Sequence, residues 1–262
     1  MSSVEDEVLY DVRDRVAYCV LNRPERRNAL SQPVLRRMAE VLTAAAEDPD
    51  VWAIVITGTG DRAFCAGGDL KELDEIARSG ARFPVPMTGP DRNLFELVLQ
   101  IGKPTIAVLN GPALAGGFEL ALACDIRIAA EHAVVGMPEA KRGMGANFAT
   151  VLLPRLVPRS VALSMLYTGE PMSPTVALHW GLVNAVHPAE RLAEEAEAFV
   201  RSIVANAPLA LRRYKEMATK GWELSVHAAL RLDAGPNPYL SADRQEGIRA
   251  FVEKRAPRWE GR

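Results

Sequence analysis

The hydrophobic and polar positions follow strand and helix periods in turn along the first half of the chain. Two short strands are predicted at Glu7–Arg13 and Val16–Asn22, around a polar turn. Apolar residues at helical spacing then predict a helix over Ser31–Glu47, with the Ser31 side chain as its N-cap. Continuous β-branched runs at Val51–Thr57 and Thr105–Asn110 are typical of strands buried on both faces.

Shorter elements are predicted between and after these two runs. Leu70–Arg78 and Asp91–Ile101 have helical patterns, and Ser79–Pro90, with three prolines and two glycines between them, is expected to be a mobile loop and a candidate lid. An apolar helix is predicted to start at Ala115–Gly117 and to run to about Ala123, followed by a strand at Asp125–Ala129. This repeated strand-then-helix unit indicates an α/β protein built from ββα-like turns.

From Asn147 onward the chain is predicted to be mostly helical. Helices of this part are expected at Ala189–Ala205, Pro208–Lys220 and Ser241–Lys254, and its one predicted strand at Leu182–Val186. We therefore expect a core carrying the active site over residues 1–205, and a helical appendage for subunit contacts over residues 206–262.

Composition limits the classes of partner. The 262 residues carry a formal net charge of −2, so no overall basic surplus exists to attract nucleic acid or an anionic membrane. The cysteines are odd in number and lie in apolar runs, which favours reduced, buried thiols and a cytoplasmic location. No apolar run approaches the roughly 20 residues that span a bilayer, and the histidines show no metal-ligand spacing.

Two turns rich in small residues each follow a buried strand and precede a helix. The first is Ala63–Leu70, in which Asp69 would cap the following helix, and the second is Asn110–Leu120. A single turn of this kind is often only a tight connection. The pair indicates two backbone N–H donors directed at one developing oxyanion.

Two glutamates are candidates for acid–base chemistry. Glu119 lies within the apolar run Phe118–Ala123, where burial would raise its pKa, and Glu139 follows 20 residues later on another element. An isolated glutamate is usually a solvated surface residue, and the sequence by itself does not show that these two converge.

A family resemblance rests on four motifs in order. They are Ala63–Leu70, Ala115–Asp125, Met137–Gly143, and Glu246-Gly247 with Ala250–Arg255. Together they resemble the enoyl-CoA hydratase/isomerase (crotonase) superfamily over nearly the whole chain. The stretch Pro138–Lys141 is locally similar to carnitinyl-CoA dehydratases.

The resemblance implies the crotonase (ClpP-like) fold, a ββα-repeat core and a C-terminal helical region used for trimer or dimer-of-trimers assembly. It implies oxyanion donors at the N–H groups of Ala66 and Gly116, which would hold the thioester carbonyl of an acyl-CoA. It also implies a water-activating role for Glu119 and delivery of the C2 proton by Glu139. No cofactor is expected, because CoA is part of the substrate.

Further residues are expected at the ligand. The substrate-binding set is completed by Gly67, Gly68, Asp69 and Asn147; Asn147 lies where the chain departs from the commoner hydratase pattern, which leaves acyl preference open. The basic turn from Arg23 to Asn28, with Arg26 and Arg27, is an exposed turn or lines the CoA groove. By resemblance, Phe251 and Lys254 reach a neighbouring subunit's CoA.

Other functions stay open from the sequence. The leading prediction is an enoyl-CoA hydratase of fatty acid metabolism. An isomerase or an acyl-CoA hydrolase on the same scaffold is the first alternative, and a non-catalytic or RNA-binding relative is the second. Ser79–Pro90 is the predicted wall of the acyl tail, and it has no specific motif.

Overall fold

The structure is a computed structural model that describes residues 4–81 and 92–262. Its strands are β1 (Val8–Arg13), β2 (Val16–Leu21), β3 (Ala53–Gly58), β4 (Thr105–Leu109), β5 (Ala113–Leu114), β6 (Ile126–Ala130), β7 (Val135–Gly136) and β8 (Ala185–His187). Six of them form one sheet in the order β1-β2-β3-β4-β6-β8. The β1–β2 pair is antiparallel and the other neighbours are parallel. Strands β5 and β7 form a separate parallel pair.

The helices surround this sheet and fill the C-terminal region. They are α1 (Val4–Glu7), α2 (Gln32–Glu47), α3 (Leu70–Arg78), α4 (Leu94–Gln100), α5 (Gly116–Ala123), α6 (Asn147–Leu156), α7 (Arg159–Thr168), α8 (Pro174–His179), α9 (Leu192–Val204), α10 (Pro208–Gly221), α11 (Val226–Ala229) and α12 (Ala242–Val252). Short 3₁₀ turns lie at Pro24–Arg26, Glu139–Arg142 and Pro238–Leu240. The α/β class that the sequence predicted is confirmed.

Most predicted elements are found within one or two residues of their expected bounds. Helix α2 begins as expected, with the Ser31 hydroxyl accepting the Val34 N–H at 3.4 Å. Strand β3 starts two residues late, because the N–H of Val51 closes a turn onto the carbonyl of Asp48. Most of the predicted loop Ser79–Pro90 lies outside the described residues.

The strand predicted at Leu182–Val186 is shifted towards the C-terminus. The N–H groups of Leu182 and Val183 donate to the Ala177 carbonyl near the end of α8, so pairing with β6 begins only at Ala185. This strand forms one edge of the sheet, and helix α9 packs against the sheet. Helix α10 is also tied to it, because Lys215 forms an ion pair with Asp125 at 2.8 Å. The division of the chain at residue 205 stays a prediction.

The sheet order explains why the two small-residue turns meet. Strands β3 and β4 are parallel neighbours, with Ile54 opposite Thr105, so their carboxyl ends lie at the same edge of the sheet. The fully buried side chains of Phe64 and Phe118 lie in the segments that follow these two strands. The three cysteines are buried and free of disulfides, as predicted. Among the described residues, no helix is long and apolar enough to cross a membrane.

Candidate active site

The two turns touch at positions where only glycine fits. A Cβ atom on Gly67 would lie 2.7 Å from the Ala115 Cβ and 3.1 Å from the Gly116 nitrogen, and one on Gly117 would lie 2.1 Å from the Cys65 carbonyl oxygen. Gly67 also has a positive φ of +88°, which favours glycine. The small residues of both motifs are therefore required for this close approach.

The first predicted oxyanion donor needs correction. The Ala66 N–H donates to the Arg27 carbonyl oxygen at 3.0 Å and is not free to bind a ligand in this structure. Leu30 donates to the Gly67 carbonyl at 2.8 Å and accepts from the Asp69 N–H at 3.1 Å, as in a parallel strand pair. In such a pair the N–H of the intervening Gly68 points away from Leu30. That N–H has no acceptor within residues 4–81 and 92–262.

The second predicted donor, Gly116, has a suitable position. It is the first residue of α5, so its N–H has no acceptor inside the helix and belongs to the positive end of the helix dipole. The residue before it, Ala115, has φ +53° and brings the chain from β5 into the helix. The turns thus present N–H groups of Gly68 and Gly116 to one cavity.

That cavity has a volume of about 670 Å³. Its wall combines apolar side chains with a few charged ones, which is common in small-molecule sites. Seven predicted site residues lie in the wall: Arg27, Ala66, Gly68, Gly116, Glu119, Glu139 and Asn147. The apolar part includes Leu35, Leu70, Leu73, Phe95, Met144 and Phe148.

Other predicted residues lie elsewhere. The Asp69 carboxylate, expected at the substrate, caps α3 by accepting the Lys71 N–H at 3.2 Å and pairs with Arg23 at 3.0 Å. Gly67 serves the contact between the turns and does not line the cavity. Phe251, which is 86% exposed, lies in the last turn of α12, and Lys254 follows that helix; both are outside the cavity wall.

The basic turn is only partly available to a ligand. Arg23 is used inside the protein, because it also donates to the Ala29 carbonyl at 2.8 Å. Arg26 and Arg27 are exposed, and Arg27 lines the cavity whereas Arg26 does not. Asn28 holds this turn against the first glycine turn, since its buried amide donates to the Ala63 carbonyl at 2.8 Å. Its importance was missed, because the sequence shows only a common turn residue there.

Glu119 is held by the start of another helix. Its side chain is buried in the first turn of α5, and Oε1 accepts the N–H groups of Phe148 at 3.1 Å and Ala149 at 2.9 Å. Burial raises the pKa of Glu119, while these two hydrogen bonds oppose that rise by stabilising the ionised form. A carboxylate in this position is a hydrogen-bonded base with a fixed orientation.

Glu139 has a different environment on the same cavity. Burial raises its pKa to about 7, and the charge of Glu119 contributes to that rise, while Arg142 opposes it. Its Oε2 atom is buried and has no hydrogen-bond partner among the described residues. The two predicted glutamates therefore line one cavity, and the charge of Glu119 acts on Glu139.

A buried arginine that the sequence reasoning missed supports helix α5 from its far end. Arg127 on β6 is 6% exposed and donates to the carbonyls of Cys124 at 2.7 Å and Ala121 at 3.2 Å. A cation at a helix C-terminus complements the dipole. The only signal in the sequence was a charged residue inside an apolar strand.

The arrangement is suited to polarising a carbonyl and moving protons beside it. Among the described residues, no group of three or more potential metal ligands occurs. The chemistry available to this part of the chain is that of two carboxyl groups whose pKa values are raised by burial and two backbone donors.

Comparison with known proteins identifies the family. The model of the enoyl-CoA hydratase/isomerase family matches residues 11–262. The crotonyl-CoA hydratase of Syntrophomonas wolfei is 34% identical over 253 residues, covering 95% of this chain and 96% of that protein. The carnitinyl-CoA dehydratase of Proteus mirabilis is 37% identical over 257 residues, with 95% and 97% covered.

A solved structure agrees over the same length. The crystal structure of an enoyl-CoA hydratase from Bacillus anthracis superposes with a TM-score of 0.88 at 35% identity, covering 98% of this chain and 100% of that one. Sequence, cavity and fold thus agree, and the chain belongs to the enoyl-CoA hydratase/isomerase family.

Proposed function

We propose that the protein adds water reversibly across the 2,3-double bond of an enoyl-CoA thioester. The observation that carries this proposal is the pair of glutamates in one cavity, Glu119 held as a base by two N–H groups and Glu139 with a pKa raised to about 7 by burial. Hydration needs both a base for water and an acid for carbon. The two named relatives, a hydratase and a dehydratase, support the same reaction class.

The proposed reaction assigns one proton transfer to each carboxylate. Glu119 removes a proton from water as the water oxygen bonds to C3, and the π electrons move through C2 to the thioester oxygen. The resulting enolate takes the proton of Glu139 at C2. The hydroxyl group of water is then bonded to C3 and its proton is on Glu119, while Glu139 is ionised. A proton must pass from Glu119 to Glu139 before the next turnover.

The enolate oxygen is proposed to bind between the N–H groups of Gly68 and Gly116. The Gly116 donor adds the positive end of α5 to this charge. Gly68 takes the place of Ala66 in the proposal, since the Ala66 N–H is bonded to Arg27. Loss of one such donor reduces kcat by about 10²–10³-fold in well-studied enzymes.

The direct test follows the loss of the enoyl thioester absorbance with crotonyl-CoA. We expect hydration by the native protein and a loss of at least about 100-fold in Glu119→Gln, the scale of general-base catalysis. Migration of the double bond in a 3-enoyl-CoA without hydration would favour an isomerase. Release of free CoA thiol would favour a hydrolase, and salt-sensitive RNA retention without acyl-CoA binding would favour the non-catalytic alternative.

Assembly into a trimer, or a dimer of trimers, is a second proposal. Large apolar side chains are exposed in the C-terminal region at Tyr239 (73%), Leu240 (85%), Phe251 (86%) and Val252 (74%). Exposed apolar surface of this kind favours association. Light scattering at micromolar concentration should give a multiple of three chains, and Leu240→Asp should lower that mass. A monodisperse monomer would contradict the proposal.

A further inference from the structure

Four arginines line the active-site cavity, Arg27, Arg36, Arg92 and Arg142, and within residues 4–81 and 92–262 none of them forms an ion pair. Of the four, Arg142 is the one that follows Glu139 in the same 3₁₀ turn. Arg142 ends the 3₁₀ turn that begins at Glu139, lines the cavity and is exposed. Its recorded hydrogen bond is a long one, 3.4 Å from Nη1 to the Pro138 carbonyl of its own turn. No carboxylate in residues 4–81 and 92–262 forms an ion pair with it, although its charge lowers the pKa of Glu139.

The neighbouring lysine is a useful contrast. Lys141 forms an ion pair with Glu170 at 2.5 Å and does not line the cavity. The two adjacent cations therefore have different positions, one fixed on the outer surface and one beside the ligand space. A guanidinium presents paired donors that match a carboxylate in two-point contact.

The position of Arg142 along the ligand follows from its neighbours. Arg27 stands at the glycine turn that contributes Gly68, on the thioester side of the cavity. Arg142 stands three residues after Glu139, whose proposed target is C2, and its charge influences the pKa of that glutamate. Arg142 is thus placed beside the acyl part of the ligand, beyond the double bond.

The surroundings of Arg142 make an entirely apolar acyl tail a poor match. Met144 and Phe148 offer apolar contact, but an uncharged tail packed there would remove water from the guanidinium without giving it an acceptor. An anionic terminus would supply that acceptor.

We propose that the preferred substrate is a 2-enoyl-CoA whose acyl chain ends in a carboxylate, and that Arg142 binds this carboxylate. The inference rests on the proposed hydration, whose reaction it leaves unchanged. It adds a second anchoring point to the thioester oxygen, so the chain between them is held in one register over Glu119 and Glu139.

Binding is tested first, with ligands that cannot react. Glutaryl-CoA and pentanoyl-CoA have similar length and differ in the terminal carboxylate. Calorimetry should show at least about tenfold tighter binding of glutaryl-CoA, and Arg142→Gln should reduce that ratio towards one, while the matched control Lys141→Gln leaves it unchanged. Because no turnover is involved, this result stands even if the proposed reaction fails.

Turnover is tested next with (E)-glutaconyl-CoA, its methyl ester and 2-pentenoyl-CoA. We expect the highest kcat/KM for the free carboxylate and loss of that preference in Arg142→Gln. Equal binding and turnover of charged and uncharged ligands by the native protein would overturn the inference and leave hydration intact. An equal loss for all ligands in Arg142→Gln would also overturn it, since it would assign Arg142 to the CoA phosphates or to Glu139.

Discussion

The carboxylate of Glu119 accepts the backbone N–H of Ala149 at 2.9 Å, so a side chain of α5 caps the start of α6. Helix α6 has no cap of its own, because Ala146 at its N-cap position offers no side-chain acceptor. The same carboxylate lines the cavity. Glu119 therefore combines a structural role with its proposed role in proton transfer.

Because Glu119 has both roles, replacing it by glutamine or by alanine should have different effects on stability. Glu119→Gln keeps a carbonyl oxygen for both N–H groups, so the free energy of unfolding should change by less than about 1 kcal/mol while hydration is lost. Glu119→Ala also abolishes hydration, but it leaves the N–H groups of α6 unpaired. It should therefore lower the free energy of unfolding by about 1–3 kcal/mol. Urea unfolding and crotonyl-CoA hydration measure the two effects. Equal stability of both variants would contradict the capping role.

The raised pKa of Glu139 predicts the pH dependence of hydration. Burial raises this pKa to about 7, and the proposed acid must carry its proton when substrate binds. The value of kcat/KM for hydration should therefore fall as the pH rises through about 7. Measurements of kcat/KM with crotonyl-CoA over a range of pH check this expectation. A kcat/KM that stays constant from about pH 6 to about pH 8.5 would argue against Glu139 as the acid.

The same pKa has a consequence for folding. Between the ordinary glutamate value of 4.5 and about 7, the folded protein keeps a proton that the unfolded chain has lost. Native stability must therefore fall, relative to Glu139→Gln, as the pH rises through this window. Urea unfolding of both proteins near pH 4.5 and near pH 7.5 gives the difference. A difference that does not change with pH would show that Glu139 titrates normally.

The contact between the two glycine turns predicts a specific loss of activity. Gly67→Ala would force the turns apart, because its Cβ would lie 2.7 Å from the Ala115 Cβ, and kcat should fall by about 10²-fold through misplaced oxyanion donors. Gly181→Ala is the matched control, since Gly181 also has a positive φ (+74°) but no atom within 4 Å of an added Cβ. The control should lose about 1 kcal/mol of stability and keep its activity. Similar kcat values for the two variants would contradict the proposed geometry.

The support of α5 by Arg127 predicts a large effect at a site away from the cavity. Arg127→Met leaves the carbonyls of Cys124 and Leu182 without their buried donor and should cost about 2–3 kcal/mol of unfolding free energy. Arg201→Met removes an exposed arginine that pairs with Glu197 and should change stability by less than about 0.5 kcal/mol. Thermal unfolding of the two variants compares them directly.

Local pattern was enough to predict the elements and their order near the site. The β-branched runs predicted β3 and β4, and the small residues after them predicted two turns. The turns meet because the two strands are parallel neighbours. The pairing of Glu119 with Glu139 followed from the family resemblance, and their positions around one cavity agree with it.

The sequence could not show which N–H group of the first glycine turn is free to bind the ligand. Whether Ala66 or Gly68 faces the ligand depends on the pairing of Leu30 with the first turn, a contact between distant segments that has no signature in either of them. The buried hydrogen bonds of Asn28 and Arg127 were missed for the same reason. Each depends on carbonyl groups, which every residue carries.

Helix α5 is buried along almost its whole length, begins at the proposed oxyanion site and ends on Arg127. The apolar wall around Leu70, Leu73 and Met144, by contrast, belongs to segments that are only partly buried. Substitutions in these segments should therefore cost less folding free energy than substitutions in the buried helix α5. Under the proposed function, the surface that contacts the acyl group can therefore vary while the reacting centre stays unchanged.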